Sequence, residues 1–151
     1  MNNWYKKADA DFRYIDPEED WEEAEQGEQI LSQEKIRSRK NIQQVAIENG
    51  VVIGALSSGW EQENDDERPI SVFSFDLAVK PEFRRQRIGY QLIQRSVQQY
   101  EQEKRDYQDA GYDTMMRVWV INPVLVPLLE RDFGFTIEAQ HEGGSVHVVR
   151  Y

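Results

Sequence analysis

Between Ile70 and Tyr100 the chain changes its hydrophobic period once, and that change constrains the fold more than any other stretch. "ISVFSFDLAVK" is rich in β-formers and is stopped by Pro81, which reads as a strand. Beyond it Ile88, Leu92, Ile93, Val97 and Tyr100 recur at helical spacing, and the polar run "EQEKRDYQD" carries that helix to Gly111, an expected C-cap. A strand and a long amphipathic helix are thus joined by a short turn holding Arg84, Arg85 and Arg87, with Gly89 just inside the helix.

The rest of the chain supplies partners for this unit. "IQQVAIENGVVIGALSSGW" places two apolar runs around Asn49 and Gly50, the signature of a tight antiparallel hairpin. "MMRVWVI" reads as a buried strand and "NPVLVPLLERDF" as a short helix, while "GFTIEAQ" and "SVHVVRY" form a last hairpin around residues 141–144. Upstream, "NNWYKKA" reads as a short first strand. The segment from Asp16 to Lys40 reads as one or two helices, with Asp16 as N-cap, Pro17 at the first helical position, and an apolar stripe of Ile30, Leu31 and Ile36. "EQENDDERP" is expected to be a polar loop. The class is α/β (α+β): one domain over residues 1–151 with a mixed, mostly antiparallel central sheet and flanking helices.

Composition narrows the functions open to such a domain. A chain of 151 residues with 39% hydrophobic content can bury its own core. It has no cysteine, which removes disulfides, thiolate nucleophiles and Cys-based zinc sites and fits a reducing compartment. No apolar run is long enough to span a membrane, and "MNNWYKKADADFRY" lacks the apolar middle of a signal peptide, so a cytoplasmic protein is expected. The net charge of -10 argues against nucleic-acid binding. That charge is uneven: residues 80–95 hold five basic residues against one acid, whereas 16–34 hold nine acids and no base.

A basic turn between a strand and a helix start suits an anion. The first backbone N–H groups of a helix lack intrahelical partners and carry the positive end of the helix dipole. Arginines add charge-assisted donors, and glycine lets the backbone approach a ligand where a Cβ would intrude. The plainer alternative is a helix start with solvated arginines.

"LAVKPEFRRQRIGYQLI", residues 77–93, resembles the acetyl-CoA-binding motif of the GNAT superfamily of N-acetyltransferases, L-A-V-x-P-x-[YF]-R-x-[QK]-G-[IL]-G-x-x-L-[LI]. It agrees at Leu77, Ala78, Val79, Pro81, Phe83, Arg84, Gln86, Ile88, Gly89, Leu92 and Ile93. A second family motif, N-x-x-A-x-x-[LF]-Y-E-[KR] followed by G-F, is echoed by Asn122, Leu128, Glu130, Arg131, Gly134 and Phe135. With the strand order, the resemblance covers roughly residues 43–151.

The resemblance implies acetyl-CoA as co-substrate and a primary amine as acceptor, with direct attack of the amine on the thioester. The backbone amides from Arg85 through Gln86, Arg87, Ile88 and Gly89 to Tyr90 would hold the pyrophosphate, neutralised by Arg84 or Arg85. The pantetheine arm would run along Leu77, Ala78 and Val79, with Asn122 bonding the same arm or an ordered water, and the N–H of Val79 or its neighbour would donate to the oxyanion. Asp76, just before "LAV", is the candidate base. Its plainer reading is a polar residue on the solvent side of an alternating strand. The acidic stretches point to a small or peptidic, cationic acceptor. No nucleic acid or membrane partner is implied, and a homodimer stays open.

Two departures bear on that reading. The family's first glycine is Arg87 here, and if the position requires φ > 0 arginine is strained by about 1 kcal/mol. The family's proton-donating tyrosine is Leu129, which leaves water, Tyr90 or Tyr112 as acid, no acid at all, or a module that binds acyl-CoA without turnover. His141 and His147 lack matching acids and are not expected to bind metal. Trp4 and Trp21 read as packing anchors, Trp119 as a core or rim aromatic, and Trp60 as the same or as part of the acceptor pocket.

Overall fold

The structure, a computed structural model, describes residues 10–36, 40–64, 68–84, 87–120 and 123–151. The expected strand at "NNWYKKA" lies outside them. The described strands are β1 (Asp11–Tyr14), β2 (Ile42–Glu48), β3 (Val51–Asn64), β4 (Pro69–Val79), β5 (Asp113–Val120), β6 (Thr136–Gln140) and β7 (Val146–Arg150). The helices are α1 (Trp21–Gln33), α2 (Ile88–Asp109) and α3 (Val126–Phe133). Strand order is β1-β2-β3-β4-β5-β7-β6, and among the described pairs β4–β5 alone runs parallel. The mixed, mostly antiparallel sheet matches the expected class. Two compact units divide the chain, one of residues 1–58 and 76–96, the other of 59–75 and 97–151.

In the first unit the hairpin forms where the sequence puts it. Asn49 (φ 51°) and Gly50 (φ 76°) both take the left-handed conformation that a two-residue turn needs, with Glu48 opposite Val51. Helix α1 turns Ala24, Gly27, Ile30 and Leu31 inward, against Ile42, Val45, Val52, Ala55 and Ala78. At Gly27 the approach is close, since an added Cβ would lie 3.0 Å from Ala55 Cβ. Asp16 does not cap this helix: α1 begins five residues later, and its N-cap residue is Asp20. Asp16 instead closes the preceding turn, its carboxylate accepting from Glu18 N–H at 2.9 Å and its carbonyl from Asp20 N–H at 2.7 Å. Proline at 17 fits that turn as readily as a helix start, so the sequence signal was ambiguous.

The same unit buries a polar group. Gln44, fully buried on β2, donates to Ser96 Oγ (3.1 Å) and accepts from Arg95 Nε (3.1 Å). Arg95 lies 4.5 Å over the Tyr14 ring, so both ends of the Gln44 amide are satisfied within a fixed frame.

In the second unit β4 and β5 pair from Ile70 with Asp113 to Phe73 with Met116, and β5 then pairs with β7 rather than β6. Trp60 stacks on Tyr107 (4.2 Å) and Tyr100 (5.6 Å), meets Phe73 edge-on (5.3 Å), and donates to Glu103 Oε2 at 2.8 Å. It is half-buried, at the rim of this aromatic cluster. Tyr100, fully buried, donates to Thr114 Oγ1 at 3.2 Å, and burial raises its pKa. The first part of "EQENDDERP", expected to be a polar loop, is strand, because β3 runs on to Asn64, and residues 65–67 lie outside the described residues. Glu63 in that extension pairs with Arg117 at 2.7 Å, a cross-strand partner that the local sequence does not announce.

Candidate active site

The junction after β4 is built by backbone and packing together. Lys80 N–H donates to Ile53 O at 2.8 Å, which ties the strand end to β3. Pro81–Phe83 forms one 3-10 turn, closed by Phe83 N–H to Lys80 O (2.9 Å) and Arg84 N–H to Pro81 O (3.3 Å). The helix then starts on buried residues: Ile88 and Leu92 are 1% and 0% exposed. Gly54 lets them approach β3, since a Cβ there would lie 3.1 Å from Ile88 Cγ2.

Arg87 has φ 61°, the left-handed region, and its carbonyl accepts the first helical hydrogen bond from Gln91 N–H at 3.0 Å. Its guanidinium stacks 4.5 Å from the Tyr90 ring centre. The position that is glycine in the resembled motif therefore keeps a glycine-like backbone while carrying a long side chain. At Gly89 an added Cβ would sit 3.6 Å from Leu77 Cδ1 and 3.8 Å from Val79 Cγ2, ordinary contact distances. Among the described residues, packing tolerates a side chain there and none demands glycine.

Arg84 is already engaged. Its Nε donates to Val79 O at 3.2 Å, and its other arm forms an ion pair with Glu34 at the end of α1. Ala78 and Val79 are buried, Leu77 and Tyr90 half-buried, and Asp76 is half-buried on β4 with a polar or ionic partner of its own. Arg85, Gln86 and Asn122 lie outside the described residues.

The second motif has a structural account. Leu129 is 3% exposed, with Val126 and Phe133 on the buried side of α3. Gly134 ends the helix at φ 73°, and Phe135, 2% exposed, donates its N–H to Leu129 O at 3.2 Å. Glycine here is the left-handed C-cap and phenylalanine its apolar anchor. Tyr112 precedes Asp113, which pairs with Ile70, so it sits beside the start of β4.

Sequence reading missed one pairing. His141 Nε2 and His147 Nδ1 lie 2.7 Å apart, with the rings edge to face. His147 also lies 6.0 Å from Trp119, which is 57% exposed. Burial, then His141 and Arg117, holds the His147 pKa below its ordinary value, against an opposing pull from Glu138. The two histidines flank the last turn, so the hairpin reading held the signal for their proximity. Trp21, expected to be a packing anchor, is 59% exposed. Among the described residues no group of three or more His, Cys, Asp or Glu is placed to hold a metal ion.

Comparison with known proteins agrees with this architecture. The sequence matches the profile described as Acetyltransferase (GNAT) family over residues 1–135. No curated protein matches the chain. Among solved structures, yncA from Salmonella typhimurium with its cofactor acetyl-CoA is 17% identical, with a TM-score of 0.61 over 93% of this chain and 92% of that one. An Arabidopsis thaliana structure in complex with the bisubstrate analogue CoA-Ac-MVNAL is 14% identical, with a TM-score of 0.58 over 95% and 99%. An aminoglycoside acetyltransferase from an uncultured soil metagenomic sample, in complex with sisomicin, is 17% identical, with a TM-score of 0.55 over 87% and 93%. At these identities the likeness establishes the shared fold, and the profile match spans most of the chain's length: the chain belongs to the acetyltransferase (GNAT) family.

Proposed function

We propose that the protein transfers an acetyl group from acetyl-CoA to the primary amine of a small or peptidic, cationic acceptor. The observation that carries this is the backbone at Arg87: a left-handed residue directly before the helix, the shape glycine supplies in the motif, retained although arginine makes it costly. Gly89 adds support, because among the described residues its bareness has no packing reason and a missing Cβ gives a ligand's phosphates closer access to the helix start.

On this reading the amides from residue 85 to Tyr90 hold the diphosphate, with Arg85 and Arg87 as charge partners, while Arg84 braces the turn through Val79 O and Glu34. Leu77, Ala78 and Val79 offer main-chain groups to the pantetheine, and Asn122 bonds the same arm. The Val79 amide donates to the oxyanion as the C–N bond forms and the C–S bond breaks. A lysine-like amine is neutral in only roughly one molecule in two thousand at pH 7, so Asp76 takes its proton. Leu129 is core, so the leaving thiolate takes its proton from water, Tyr90 or Tyr112. The acidic stretches of the chain favour a cationic acceptor.

Calorimetric titration with acetyl-CoA is expected to show sub-millimolar binding that Gly89→Glu abolishes, with circular dichroism unchanged; absence of binding by the wild type rejects the reading. Thiol release across polyamines, aminoglycosides and peptides then separates an enzyme from a passive binder. In Asp76→Asn the rate should drop at neutral pH and recover partly as pH rises, and an unaltered profile removes Asp76 as base.

A further inference from the structure

The final hairpin holds a device that acetyl transfer does not use. We propose that the hydrogen bond between His141 and His147 is a pH-sensitive clasp on the β6–β7 turn, closed when at most one ring is charged and opened when both are. Two ring nitrogens 2.7 Å apart need one donor and one acceptor, so at least one imidazole must be neutral. Two imidazolium ions cannot make this contact.

The clasp joins a strand residue to the first residue of the turn. His147 is fixed within β7, where it lies opposite Trp119 on β5 and Ala139 on β6. His141 opens the turn, which is held by His141 N–H to Ser145 O (2.9 Å) and Gly144 N–H to His141 O (3.2 Å). Gly143 (φ 87°) and Gly144 (φ 92°) take conformations open to glycine, so the turn can rearrange at low steric cost. The imidazole pair therefore adds a side-chain restraint where the backbone is most permissive.

The surrounding charges set the direction. Arg117 on β5 disfavours a proton on His147 and Glu138 on β6 favours one. Arg117 is itself paired with Glu138 (3.1 Å) and with Glu63 on β3 (2.7 Å), and Glu142 is exposed within the turn. With the native His147 pKa depressed, the unfolded chain takes up the proton first. The stabilisation is present above the ordinary histidine pKa of about 6.5 and is lost as pH falls from there through the native value.

The test is amide hydrogen exchange on the intact protein at pH 7.5 and 5, corrected for intrinsic rates, with nitrogen-15 spectra of the imidazoles. Protection at His141 and Gly144 should fall about fivefold or more at the lower pH, the effect of two like charges about 4 Å apart in water. His141→Gln, which cannot titrate, should flatten this dependence, and His147→Ala should leave the turn poorly protected at both pH values. Equal pH dependence in wild type and His141→Gln, or two rings titrating independently at ordinary values, overturns the clasp. Acetyl-CoA binding, measured in parallel, has no bearing on either outcome.

Discussion

Arg87 shows how one residue can depart from a pattern while the backbone keeps it. Left-handed φ costs an L-residue about 1–2 kcal/mol, and the stacking of its guanidinium on Tyr90 offsets about 0.5–1 kcal/mol of that. Replacing Arg87 by alanine removes the stacking and keeps the strain, whereas glycine removes both. Arg87→Gly should therefore be more stable than Arg87→Ala by about 1 kcal/mol in urea denaturation. Equal stabilities would mean that the residue does not hold a positive φ in solution. The sequence raised this question, and only the chain path through the junction could answer it. Leu129 is the converse case: a position where the motif has tyrosine has been absorbed into the core of its unit.

At the scale of elements, packing explains what composition left open. Helix α1 is strongly acidic and, by charge alone, reads as a solvated face. It is nevertheless held to the sheet by Ala24, Gly27, Ile30 and Leu31. Gly27 permits that contact, since the hypothetical Cβ is 3.0 Å from Ala55 Cβ and 3.3 Å from Ile42 Cγ2. Gly27→Ala should accordingly destabilise the protein by about 1–3 kcal/mol despite alanine's better helix propensity. A thermal midpoint equal to or above wild type would show that helix and sheet part readily. The β-elements were the more legible ones. The Asn49–Gly50 turn and the switch from strand to helix after Pro81 each rest on local stereochemistry, which a chain expresses wherever it lies. The start of α1 and the length of β3 were less legible, because an Asp-Pro pair serves turns and helices alike and because Glu63 is satisfied by Arg117 from another strand.

At the scale of the whole molecule, the glycine positions, apolar periods and turn dipeptides of the sequence were sufficient for a mixed sheet with helices, for the helix start after β4, and for the resemblance that the profile match bears out. These features are short-range: each arises from a residue's own steric limits or from neighbours within a turn. The tertiary structure alone decided that β7 enters between β5 and β6, that Trp60 stacks in a cluster of aromatic rings, that Arg84 is spent on Glu34 and a strand carbonyl, and that the two histidines share a hydrogen bond. Such outcomes depend on which distant surfaces meet. The free energy of that meeting belongs to pairs of residues far apart in the chain, and no single stretch encodes it.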